Sequence, residues 1–66
     1  MPIVSLNGVE TTTPAMSIEE LLRHSAIELR GIAVALNGTV VPRSQWSTTP
    51  ITEGDAIEVV TAAAGG

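Results

Sequence analysis

The sequence predicts a two-layer α+β domain of ββαββ type, with one helix across one face of a sheet of short strands. Three observations lead there. A single amphipathic helix stands in the middle of the chain, opening at Ser17. Short runs of apolar residues lie on both sides of it. Asn-Gly dipeptides break those runs at 7–8 and 37–38, and such pairs accept the positive φ of two-residue hairpin turns.

Residues 2–6 read as the first strand and 9–13 as the second, joined by Asn7-Gly8. Thr13 precedes Pro14, which holds it extended and closes the hairpin. Ser17 with Glu20 three residues on forms a capping box, each side chain reaching the other's orphan N–H. Ile18, Leu21, Leu22, Ser25, Ala26 and Leu29 then share one helical face, and Gly31 supplies the expected stop. Residues 32–37 form the third strand, and Asn37-Gly38 turns it into a fourth at 39–41. Pro42 ends that strand and marks it as an edge, because proline cannot donate to a ladder. Residues 43–52 look irregular. Gly54 turns the chain between Glu53 and Asp55, and 56–61 form the closing strand.

Alternation along the strands assigns the faces. Val4, Leu6, Val34, Leu36, Ile57 and Val59 point toward the helix. The opposite face carries Ile3, Ser5, Ala33, Ala35, Glu58 and Val60. Small apolar residues there are compatible with plain tolerance or with a flat docking patch, and the pattern leaves both open.

Composition removes several classes of function. With no cysteine among 66 residues, disulfides, thiolate metal sites and a catalytic thiol are excluded. The formal net charge is −4, with three arginines and no lysine, which argues against nucleic acid as a partner. No apolar run is long enough to cross a bilayer, and no leader pattern opens the chain, so the expected compartment is the cytoplasm. His24 is the only histidine and stands on a helix border without an ordering partner. The acids Glu53, Asp55 and Glu58 read as turn and strand residues rather than a metal site. No catalytic residue and no metal ligand is assigned. Trp46, the only aromatic side chain, either pins 43–52 over the core or anchors an interface, and Arg43 stays unassigned.

The last five residues carry the sharpest signal. Ala62, Ala63, Ala64, Gly65 and Gly66 follow the closing strand and expose almost no side chain. Glycine loses more conformational freedom on ordering than any other residue, so such a segment is a poor choice for packing. It is narrow, and suits entry into a partner's tunnel. The domain is therefore read as residues 1–66, with 62–66 a flexible tail that delivers the carboxylate of Gly66. A carboxylate becomes a good electrophile once adenylated.

Joined to the ββαββ order, that ending resembles the β-grasp, ubiquitin-like fold. The segments "SLNG", "SIEELL", "VALNGTVVPRSQW" and "ITEGDAIEVVTAAAGG" closely resemble the ThiS family of thiamine-biosynthesis sulfur carriers, over nearly the whole chain. The resemblance implies a mixed sheet in which strand 5 lies between strands 1 and 3. It implies a carrier rather than an enzyme, with no stably bound cofactor and with ATP consumed by a ThiF-type adenylyltransferase. A persulfide donor then replaces AMP on Gly66 to leave a thiocarboxylate, and the thiazole synthase ThiG accepts the sulfur. Ile3, Ala33, Ala35 and Val60 would form one contiguous partner-docking patch on a protein that is monomeric when free. Two alternatives stay open, a molybdopterin-synthase-type sulfur carrier and a ubiquitin-like protein modifier.

Overall fold

Asn7 and Asn37 both adopt the positive φ that their turns require, at 53° and 51°, and each is followed by a glycine at positive φ. Two tight hairpins result. The first pairs β1 (Ile3–Leu6) with β2 (Val9–Thr12), and the second pairs β3 (Ile32–Leu36) with β4 (Thr39–Val41). The closing strand β5 (Ala56–Thr61) inserts between them, giving the sheet order β2-β1-β5-β3-β4. It runs parallel to β1 and antiparallel to β3, so the sheet is mixed, as the resemblance implied. This computed structural model describes residues 1–61; the expected tail at 62–66 lies outside the described residues.

Helix α1 (Ile18–His24) covers one face of the sheet. Ile18, Leu21 and Leu22 bury fully against Val4, Val34 and Ile57, and Leu6, Leu36 and Val59 pack partly buried around them. The inward face is thus the one that alternation assigns. Val41, Trp46 and Ile51 close one end of this core. The segment 43–52 begins as a short 3-10 turn (Arg43–Gln45). It also receives the start of the helix. Thr49 O accepts from Ile18 N–H and Trp46 O from Glu19 N–H, two donors that no helical carbonyl can reach.

The capping box forms in one half. Ser17 Oγ accepts from Glu20 N–H at 3.2 Å, as expected. The Glu20 carboxylate instead accepts from Met16 N–H at 2.9 Å, one residue before the cap.

The helix is also shorter than its sequence face suggests. It ends at His24, Ser25 is the C-cap, and the left-handed residue just past the cap is Ala26, at φ 58°; Gly31, also at positive φ, turns the chain five residues later, ahead of β3. Ile27 N–H reaches Leu22 O and Ala26 N–H reaches Arg23 O, the paired bonds of a Schellman motif. The apolar partnership of that motif is present too, since Ile27 and Leu22 both belong to the core cluster. Leu29 still packs on the core, but from beyond the helix. Periodicity registers a burial pattern and cannot tell a continuing helix from a chain that turns back onto the same core.

An alanine in the left-handed region carries a steric cost of about 1–2 kcal/mol between Cβ and the carbonyl. Glycine would relieve it while adding freedom to the unfolded chain. Ala26→Gly is therefore expected to stabilise the domain by about 0.5–1 kcal/mol. The reading is a higher denaturant midpoint at unchanged slope, and a lower midpoint would refute the strain argument.

Candidate functional site

The site is built around β5, the strand that leads to residue 62. Every second backbone amide of β5 faces β3, and the register places Ala33 opposite Val60 and Ala35 opposite Glu58. The two-residue turn at Asn37-Gly38 then sets Val40 opposite Ala35. Ala33, Ala35, Val40 and Val60 line a shallow outer-face hollow of about 160 Å³ with Glu58 on its rim. Val40 and Val60 are 69% and 59% exposed, large apolar side chains that the fold leaves uncovered. A hollow of this size is below the roughly 300–1,000 Å³ of ordinary small-molecule sites. It fits an apolar side chain of another protein beside a cation able to meet Glu58.

Ala33, Ala35 and Val60 are thus brought together as expected, and Ile3 is not. The parallel pairing puts Ser5 opposite Ala56 and Leu6 opposite Ile57, so Ile3 stands level with Gly54, whose N–H it accepts at 2.9 Å. Val60 lies six residues further along β5, roughly 20 Å away at 3.3 Å per residue. Ile3 is 37% exposed beside Glu53, whose Oε1 accepts its N–H at 2.8 Å. The contiguous patch expected to include Ile3 therefore excludes it, because β1 runs beside the start of β5 while β3 accompanies it to the end. Val40 takes the vacant place. Its signal was legible, since a two-residue turn with Val41 inward must put Val40 outward and opposite Ala35.

Both turn asparagines hold β5 by their side chains. Asn37 Oδ1 accepts from Ala56 N–H at 2.8 Å, and its Nδ2 donates to Asp55 Oδ1 at 3.0 Å. Asn7 Oδ1 accepts from Val59 N–H at 2.7 Å, and its Nδ2 donates to Val59 O at 3.2 Å. Nothing in the dipeptide pattern signals this second duty of the two residues.

Asp55 completes the turn before β5. Its Oδ2 accepts from the Thr52 N–H at 2.7 Å and from the Thr52 hydroxyl at 3.2 Å. The Thr52 backbone bond first, then the Asn37 amide, hold its carboxyl below the ordinary carboxylate range. A folded-state pKa that is lowered adds stability above the unfolded value of about 3.9, and that stability is lost as pH falls through the folded value. Asp55→Asn is expected to flatten the acid limb of the stability curve below about pH 4. Denaturant titrations across pH check it, and an unchanged acid slope would contradict the assignment.

The remaining candidates resolve into structural duties. Trp46 is 4% exposed and donates from Nε1 to Val41 O at 2.9 Å. The Arg43 guanidinium lies 4.9 Å from the Trp46 ring centroid and donates to Leu29 O. Trp46 thus pins 43–52 over the core, and Arg43 ties that segment to the chain after the helix. His24 is exposed in the last helical turn. Among the described residues no group of three or more acidic or histidine side chains is placed to hold a metal ion. No helix among them is long and apolar enough to cross a membrane.

Comparison with known proteins points one way. A family model described as ThiS matches residues 3–66. The sulfur carrier protein ThiS of Thermus thermophilus is 33% identical over 64 residues, covering 97% of this chain and 100% of that protein. A thiazole synthase of Paramagnetospirillum magneticum is 34% identical over 62 residues, covering 92% of this chain but only 19% of that protein. The crystal structure of the thiamine biosynthesis protein ThiS from Geobacter metallireducens superposes with a TM-score of 0.84 at 28% identity, covering 97% of this chain and 99% of that one.

Proposed function

This chain belongs to the ThiS family, and from that membership we propose that it is a sulfur carrier of thiamine biosynthesis, loaded at Gly66 and unloaded at a thiazole synthase. The observation that carries the reading is the end-to-end match to the Thermus sulfur carrier, which leaves no part of that protein unaccounted for. The partial match to a thiazole synthase supports the acceptor, because a stretch like this chain forms 19% of a protein bearing that name.

The chemistry follows from what the chain offers. With no cysteine it has no thiol on which to hold a persulfide, and we assign the sulfur to the Gly66 carboxylate, as the family resemblance implies. That carboxylate attacks the α-phosphorus of ATP in a ThiF-type adenylyltransferase, releasing pyrophosphate and forming an acyl-adenylate. The terminal sulfur of a persulfide displaces AMP, and a thiol then cleaves the resulting acyl disulfide. Gly66 is left as a thiocarboxylate, whose sulfur is a better nucleophile than oxygen. The domain acts as a co-substrate, and catalysis belongs to its partners.

Docking of those partners falls to the hollow of Ala33, Ala35, Val40 and Val60, which adjoins the end of β5. An arginine at Ala35 would fill the hollow and pair with Glu58. Ala35→Arg is expected to lower kcat/KM for loading by about tenfold or more, a loss typical of one disrupted hot-spot contact. Loading at the wild-type rate by a folded variant would remove this face from the proposal.

The decisive test is the intact mass after incubation with ATP, the adenylyltransferase and a persulfide donor. One oxygen of the chain should be replaced by sulfur. A terminus that stays a carboxylate, under conditions that convert an established carrier, would overturn the reading.

A further inference from the structure

We propose that Asn7 is a positioning residue for sulfur loading, its side-chain amide standing in for a strand that β1 does not supply and so fixing how β5 delivers the tail. The inference rests on the carrier reading above. Beyond Ile57, β5 loses its parallel neighbour: the last paired residue of β1 is Leu6, and the chain then turns away into β2. The Asn7 N–H still reaches Ile57 O at 2.8 Å. The next β5 residue whose backbone faces that side is Val59, and there the pairing passes from backbone to side chain. One planar amide accepts from the N–H and donates to the O of the same residue, at 2.7 and 3.2 Å. This two-point contact reproduces one rung of a ladder. It also dictates the amide's orientation, since a reversed amide would set its NH2 against the Val59 N–H.

The rung lies two residues before Thr61, the last residue of β5. Glu58 and Val60, between and beside it, belong to the outer face with the docking hollow. The same contact therefore aligns the surface that meets a partner and the strand from which residues 62–66 depart. Asn37 makes a comparable pair of bonds at the other end of β5, to Ala56 and Asp55. That symmetry supplies an internal control. Glycine at either position accepts the turn's positive φ and removes the side-chain clip, and the freedom it adds to the unfolded chain is the same at both.

The experiment compares wild type, Asn7→Gly and Asn37→Gly in loading by the adenylyltransferase with ATP and a persulfide donor, at a temperature where all three are folded. Asn7→Gly is expected to lower kcat/KM by about tenfold, while Asn37→Gly, with a similar fall in denaturant midpoint, loads within about twofold of wild type. Amide hydrogen exchange is read in parallel. Val59 should exchange at least about tenfold faster in Asn7→Gly and at the wild-type rate in Asn37→Gly. Equal loading by both variants, whether both normal or both reduced in step with stability, overturns the positioning role. Should wild type itself fail to load, the carrier reading fails instead. The exchange arm then judges the clip alone, and unchanged protection of Val59 in Asn7→Gly defeats it.

Discussion

A chain lacking Gly66 is expected to fold with the stability of the full chain and to take up no sulfur. The first half follows from where the packing lies. Among the described residues the buried apolar side chains run from Val4 to Ile57, and the last register pair of β5 joins Thr61 to Ile32. Removing a residue five positions further on disturbs none of these contacts. The second half follows from reach. A carboxylate on Gly65 would stop about 3.5 Å short of the position proposed for Gly66 in an adenylating site. A misplacement of about 1 Å can already cost a hundredfold in rate. Loss of loading by more than about a hundredfold is therefore expected, together with an unfolding curve that overlays wild type. Intact mass and thermal unfolding of the same sample measure both halves. Sulfur on the shortened chain would refute Gly66 as the loading point, and a destabilised chain would show that the segment does more than deliver it.

Trp46→Ala has the largest expected effect on stability. The indole is buried, its N–H is satisfied by Val41 O, and its ring lies beneath the Arg43 guanidinium. Truncating a buried aromatic side chain to alanine costs about 3–5 kcal/mol. A domain of this length holds only about 3–10 kcal/mol in total, so the variant should be near or past its folding threshold. The loss extends to the helix start, because the Trp46 and Thr49 carbonyls that accept from Glu19 and Ile18 sit in the segment this residue pins. At about 4–8 °C per kcal/mol, the melting midpoint should drop by more than about 12 °C. Trp46→Phe keeps most of the volume and loses the donor, and should fall between the two. A cooperative transition within a few degrees of wild type in Trp46→Ala would mean that 43–52 is held by other contacts.

Much of the architecture was legible in residue patterns, for reasons that differ from element to element. The hairpins were readable because Asn-Gly supplies positive φ at both turn centres, a requirement few other pairs meet. The helix start was readable from Ser17, whose hydroxyl does accept from Glu20 N–H. Its end was not, because Leu29 continues a burial period that the chain satisfies only after leaving the helix, while Ala26, expected on the same inward face, is exposed at the turn. Ala26 in the left-handed region is a strained choice that no propensity would select over Gly31. Of the outer-face candidates, Ala33, Ala35 and Val60 converge and Ile3 stands apart, which alternation cannot foresee. Alternation assigns a face to each residue but says nothing of how far along a neighbouring strand it lies.

The sequence by itself determined which strand residues face the core, where the two hairpins turn, and how narrow and featureless residues 62–66 are. Those properties depend on a side chain and its near neighbours: the two-residue period of a strand, the φ range of a turn, the absence of Cβ in glycine. Only the tertiary structure decided that Ile3 stands apart from the hollow and that Asn7 takes over from β1 at Val59. Both outcomes depend on the stagger of β1 against β5, two strands some fifty residues apart in the chain. That stagger is settled when the helix, both hairpins and the closing strand bury their apolar faces together. No local stretch carries the information alone.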